Sequence, residues 1–223
     1  MIPLYHDFSG ARVLVFGGGP VGARKARRFA READVVAVSP TFVDRFERPA
    51  LAAVERIRAA PDPEDAADWV GRIEPALVVA ATDDDALNRA ADEAARNHGA
   101  LVNRADQSGG RDVDSVVVPA TVRDDPVSVA ISTGGESPAL ARYLRQQIEA
   151  EIDEAGAMAE LSGQLRADLK AAGYPPADRR AAVRSVVQSS SVWKALHTGT
   201  PNPEKEAERV MAAEHDDMEG TSR

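Results

Sequence analysis

The chain has 223 residues, a hydrophobic share of 43% and a net charge of −9, which suits one large domain or two modest ones around a buried core. The acidic balance argues against a general nucleic-acid binder, which needs a basic face, and no run approaches the roughly 20 apolar residues that span a bilayer. With no cysteine, disulfides, thiolate nucleophiles, iron–sulfur clusters and cysteine-based zinc sites are excluded.

Asp7 near the start, without a basic-then-apolar opening, predicts no secretion signal, so a cytoplasmic location is expected. Four lysines stand against 23 arginines. An Asp-rich, Lys-poor, Ala-rich chain fits a high-salt cytoplasm and equally a GC-rich genome.

In chain order, the apolar run at 12–16 reads as a strand ended by the segment GGGPVG. Residues 21–32 follow with helical spacing of Val21, Ala26, Phe29 and Ala30. A second strand is expected over 35–38 and a weaker one over 54–59. Helix is expected over 63–71, with Pro63 in its first turn, then a strand over 77–82. Asp83 to Asp85 suit the positive end of the next helix, which runs to His98 with Gly99 as its cap. A short strand over 101–103 closes an alternating series that implies a parallel sheet with helices on both faces.

Beyond Asn103 the pattern changes. QSGGRD is loop-like, and the runs 115–122 and 127–132, separated by the turn RDDP, are expected to pair as an antiparallel hairpin. Ser137-Pro138 reads as a helix start. From about residue 154 the chain reads as helical, with Met158, Leu161, Leu165 and Leu169 on one stripe. Pro175-Pro176 interrupts it, and a further stretch holds Val183, Val186, Val187, Val192, Trp193 and Leu196. Asn202-Pro203 is expected to cap a last short helix with a frayed end. The expected divisions are residues 1–112, 113–153 and 154–223.

GGGPVG matches the pattern G-x-G-x-x-G at Gly17, Gly19 and Gly22, directly between a strand and a helix. There the first glycine allows a tight turn, the second lets backbone approach a diphosphate, and the third lets helix pack on sheet. The pattern predicts a Rossmann-type dinucleotide-binding domain, with phosphates on the helix N-terminus. The acid expected after the second strand is replaced by Ser39, followed by Pro40 and Thr41; the hydroxyls of Ser39 and Thr41 are candidates for the ribose. No arginine stands immediately beside them to meet a 2′-phosphate, Arg45 being the nearest that follows, so NAD is expected rather than NADP. Thr82 and Asp83 end the fourth strand, where such sheets open their ligand crevice; helix capping alone would also account for them.

GGGPVGARKA, AATDDDALN, LVNRAD and PVSVAISTGGESPALARYLR occur in this order at compatible spacings. Together they resemble the precorrin-2 dehydrogenase family, which includes the N-terminal half of siroheme synthase. The resemblance implies NAD-dependent oxidation of precorrin-2 to sirohydrochlorin, with ferrous iron as a further substrate in some members. It implies a dinucleotide-binding domain, a central dimerisation region and a helical C-terminal domain, assembled as a homodimer. Gly18, inside the glycine loop, is a further cofactor-binding candidate; the resemblance places Pro20, Val21, Pro40 and Thr41 at cofactor-contacting positions and Asp106 at the catalytic aspartate of the V-N-x-x-D stretch. Thr133 falls where some relatives carry the second serine of Ser-Ser-Gly-Gly, which the resemblance implicates near the active site or in phosphorylation, so Thr133 is a substrate-binding candidate; a plain strand-to-helix turn is the other reading.

A substrate rich in carboxylates meets a protein that is itself acidic, so a local cationic patch is required. The candidates are Arg104, Arg111, Arg123, Arg142 and Arg145. The four histidines, His6, His98, His197 and His215, show no ligand spacing, and no built-in metal site is expected. Two other readings are an NAD-sensing module without activity, which would need an effector surface, and a chelatase without oxidation, which would tolerate degraded glycines.

Overall fold

The structure, a computed structural model, describes residues 3–105 and 115–220, with side chains through residue 213. The chain divides into two compact units, Met1–Val118 and Pro119–Arg223.

In the first unit the strands are β1 (Arg12–Phe16), β2 (Asp34–Ser39), β3 (Glu55–Arg58), β4 (Leu77–Ala80) and β5 (Leu101–Arg104). All pair in parallel, in the order β3-β2-β1-β4-β5. A parallel strand covered on both faces reads as an unbroken apolar run, and β1 obeys: Val13, Leu14, Val15 and Phe16 are all fully buried. Side chains alternate between faces. Leu14, Phe16, Val36 and Val78 pack with helices α2 (Ala66–Ile73) and α3 (Asp85–Asn97). Val13, Val15, Ala37 and Val79 pack with helix α1 (Pro20–Phe29) and with Phe46 and Leu51 from two short 3-10 turns. The order of strands reverses between β1 and β4, which sets the ligand crevice at their carboxyl ends.

Several expectations shift. Helix α1 stops at Phe29, and Ala33 N–H donates to the Phe29 carbonyl at 2.9 Å to turn the chain into β2. The 63–71 helix opens as a 3-10 turn at Pro63–Asp65, closed by reciprocal Asp62 and Asp65 caps, before α2 begins. The 77–82 strand ends at Ala80. Gly99 takes a positive φ of 71° after α3, as expected of its cap.

The expected strand over 115–122 is two pieces. Ser115 bridges Val102 in parallel and Val116 N–H donates to the Val102 carbonyl at 2.7 Å, so this stretch runs beside β5. Val116 and Val118 pack against the first unit's core. Pro119 follows, and only β6 (Ala120–Asp124) pairs antiparallel with β7 (Val127–Ile131).

The second unit continues with α4 (Pro138–Glu151), α5 (Ala155–Ala171), α6 (Pro176–Gln188), α7 (Ser190–Thr198) and α8 (Pro203–Gly220). Ser137 caps α4 by accepting from Leu140 N–H at 3.2 Å. Gly156 N–H donates to Asp124 Oδ2 at 2.8 Å, fastening the start of α5 to the hairpin. The stretch expected to run from Val183 to Leu196 is broken at Ser189, whose hydroxyl accepts from Val192 N–H to start α7. The last helix is 18 residues long rather than short, and Asn202 caps it by accepting from Lys205 N–H at 3.1 Å. Met158, Val186, Val192 and Ala207 form the small core of these helices. Among the described residues no helix is long and apolar enough to cross a membrane.

Candidate dinucleotide-binding site

The glycine loop is shaped by what surrounds each residue. Gly17 sits at φ 123°, donates its N–H to the Val38 carbonyl at 3.0 Å, and a Cβ there would collide with the Ala81 carbonyl. The turn from β1 therefore lies against the end of β4. A Cβ at Gly18 would strike the Thr41 carbonyl and the Ser39 side chain, and one at Gly22 would strike the Gly17 carbonyl. Gly19 is different. Nothing lies within 4 Å of its Cβ position, so this face is open for a ligand to approach backbone.

Gly19 is also the N-cap of α1. No side chain caps the helix, Pro20 follows at its first turn, and no acid stands there. Val21 and Gly22 belong to that uncapped first turn, where N–H groups and the helix dipole favour an anion. Helix α1 carries Arg24, Lys25, Arg27 and Arg28 and no acidic residue, a concentration of positive charge in a chain of net charge −9. The open cradle at Gly19 and the uncapped helix start behind it fit the diphosphate of a dinucleotide.

At the end of β2, Ser39 is buried, beneath the Gly18 backbone. Pro40 and Thr41 are exposed beside it. The serine thus packs the loop, and Pro40 and Thr41 form the accessible lip. At the end of β4, the Thr82 hydroxyl donates to Asn88 Oδ1 at 2.8 Å and accepts from Asp84 N–H at 3.2 Å. Asn88, fully buried, returns its amide to the Thr82 carbonyl at 2.9 Å. Asp84, not Asp83, caps α3 by accepting from Ala86 and Leu87 N–H; Asp83 is exposed.

A cavity of about 130 Å³ opens at the end of β5, lined by Arg24, Lys25, Asn103, Arg104 and the 115–118 segment. Asn103 is 5% exposed and donates its amide to the Val116 carbonyl at 2.6 Å. Its Oδ1 is buried without a hydrogen-bond partner, an unmet acceptor that costs about 1–3 kcal/mol unless a donor arrives. Of the arginines expected to meet substrate, Arg104 lines this cavity. Arg24, Lys25 and Asn103 were not among the expected residues; a basic pair just past the glycine loop of an acidic chain was the available signal.

Asp106 and Arg111 lie outside the described residues. Arg123 is 3.8 Å from Asp125 and Arg145 pairs with Glu149 at 2.9 Å. Arg142 lines a groove with Pro138, Ala139, Tyr143 and Gln146. The Thr133 hydroxyl accepts from Ser137 N–H at 3.3 Å and donates to its carbonyl at 3.1 Å, so it braces the turn before α4. Among the described residues no group of three His, Asp or Glu side chains is placed to hold a metal ion.

Residues 4–120 match a family model described as NAD(P)-binding, and residues 124–151 match the sirohaem biosynthesis protein central model. Precorrin-2 dehydrogenase of Methanosarcina barkeri is 34% identical over 95% of this chain and 92% of its own length. Siroheme synthase of Azotobacter vinelandii is 34% identical over 95% of this chain, and the chain spans about 44% of that longer relative. Among solved structures, SirC, a precorrin-2 dehydrogenase, aligns over 96% of this chain and 100% of its own with a TM-score of 0.68 at 22% identity, a likeness of fold. With matches running nearly the full length of both chains in the archaeal case, this protein belongs to the precorrin-2 dehydrogenase family.

Proposed function

We propose that the protein oxidises precorrin-2 to sirohydrochlorin with NAD as the acceptor, within siroheme synthesis. The observation that carries this reading is the open, uncapped helix start at Gly19, set at the sheet's switch point, in a chain 34% identical to a precorrin-2 dehydrogenase.

Oxidation removes two electrons and two protons from the macrocycle. A nicotinamide held at this site would supply the hydride acceptor, and one proton remains for the chain to take up. The chain's share is to bind, orient and deprotonate. The first turn of α1 holds the diphosphate through its N–H groups, and Gly17 and Gly22 keep that turn tight against β4. Asp106, two residues past β5 in the sequence, accepts the proton as general base and passes it to water. Pro40 and Thr41 border the ribose. Among relatives named siroheme synthase the same segment is joined to further chain, and Fe²⁺ is proposed here as a second substrate for which Asp106 would accept pyrrole protons.

The protein is proposed to act as a cytoplasmic homodimer. Helix α4 has no buried residue among its 14, and it exposes Leu140 at 47% and Tyr143 at 56%. A second copy covering this face would bury both.

The test is to incubate purified protein with precorrin-2 and NAD and to follow NADH absorbance together with the tetrapyrrole spectrum. Turnover is expected, and Asp106→Ala should lower kcat about 100-fold or more while NADH affinity stays within about twofold. NAD binding without any oxidation would overturn the reading in favour of a sensor or a chelatase.

A further inference from the structure

We infer that the cavity between α1 and the end of β5 receives one carboxylate arm of the tetrapyrrole, with Arg24 as its principal cation. This rests on the proposed substrate, a macrocycle bearing several short acid arms. The cavity, about 130 Å³, is far too small for the ring. It suits a two- or three-carbon acid together with one water, which takes about 30 Å³.

The chemistry of the lining matches that pair of guests. Arg24 is an exposed guanidinium on the cavity wall, and a guanidinium binds a carboxylate through two parallel N–H donors. Lys25 and Arg104 line the same cavity. A carboxylate alone would not satisfy Asn103, whose orphaned Oδ1 needs a donor. A water supplies it, giving one hydrogen to Asn103 Oδ1 and the other to the carboxylate. The amide end of Asn103 is already fixed on the Val116 carbonyl, so its acceptor end is held in one orientation. The cavity therefore reads acid arm and water together, and it does so on the element that also carries the diphosphate cradle. One helix would align the two reactants.

The assignment separates two ligands that a merely basic surface would not. Titration of the full chain with sirohydrochlorin, followed by the tetrapyrrole's fluorescence, should show Arg24→Gln weakening binding about tenfold while NADH affinity stays within about twofold. In turnover the same variant should raise KM for precorrin-2 with kcat nearly kept, since the contact is made equally before and at the transition state. Arg24→Lys should recover part of the loss. Wild-type sirohydrochlorin affinity in Arg24→Gln overturns the inference. So does a loss of NADH affinity in place of it, which would give the cavity to the dinucleotide. Wild-type protein that binds sirohydrochlorin but turns over no precorrin-2 would sink the proposed oxidation, and the Arg24 titration would still decide the cavity.

Discussion

In the first unit a parallel sheet is covered on both faces, and two clusters of 13 and 12 buried apolar residues fill the space between the layers. In the second unit the corresponding cluster among the described residues holds four, and α4 contributes no buried residue at all. The contrast teaches where each part draws its stability. The sheet unit meets its burial requirement within its own chain, so its glycine loop is free to specialise for a ligand. Helix α4 leaves Leu140 and Tyr143 uncovered, an apolar face that the proposed second copy would bury.

That contrast can be broken by substitution. Gly22→Ala should have the largest effect. Its methyl would collide with the Gly17 backbone, pushing α1 off the sheet at about 3 kcal/mol and lowering the first unit's melting temperature measured by calorimetry. An unchanged melting temperature would show that the helix can move without loss. Tyr143→Glu should come next, weakening a dimer by about 2 kcal/mol, read as a shift to monomer in sedimentation while the helical content stays constant. A wild-type chain that is monomeric at every concentration would remove the partner from the comparison. Gly19→Val should leave the melting temperature nearly unchanged, because the site is open, yet weaken NADH binding at least tenfold, about 1.4 kcal/mol. Equal losses in stability and binding would mean Gly19 is packed after all.

The smallest effect belongs to the helical unit. Glu206 is held by Arg209, whose Nε donates at 3.1 Å, and by the Ser191 hydroxyl, and its carboxyl is pushed down to about 2. A carboxylate with a depressed folded pKa stabilises the fold above its ordinary value near 4.5, and that contribution is lost as pH falls from there toward 2. Glu206→Gln should therefore be less stable at neutral pH and flatter over that acid range. An identical acid limb in both proteins would show that the contact contributes nothing.

The sheet was readable from sequence because parallel strands buried on both sides announce themselves as apolar runs, and because the glycine pattern sits where a strand must turn into a helix. Tertiary pairing was harder to see. In the run from Ser115 to Val122, only Pro119 marks the point where the chain stops following β5 and enters the hairpin. Ser189 looked like the interior of one helix because serine is compatible with both roles; its hydroxyl decides by capping α7. Thr82 looked available for a ligand until Asn88, six residues on, was seen to occupy its hydroxyl. The cavity at Asn103 joins residues from opposite ends of the first unit's sequence, and no local pattern reports that Arg24 and Asn103 share a wall.

The strap from Ser115 to Val118 has a consequence for the sheet as a whole. By lying along β5 and hydrogen-bonding to Val102, it closes the margin where a foreign strand would otherwise add. The opposite margin, β3, is guarded by the charged side chains of Glu55, Arg56 and Arg58. With one border lined by the strap and the other charged, edge-to-edge addition of a strand to this sheet is disfavoured.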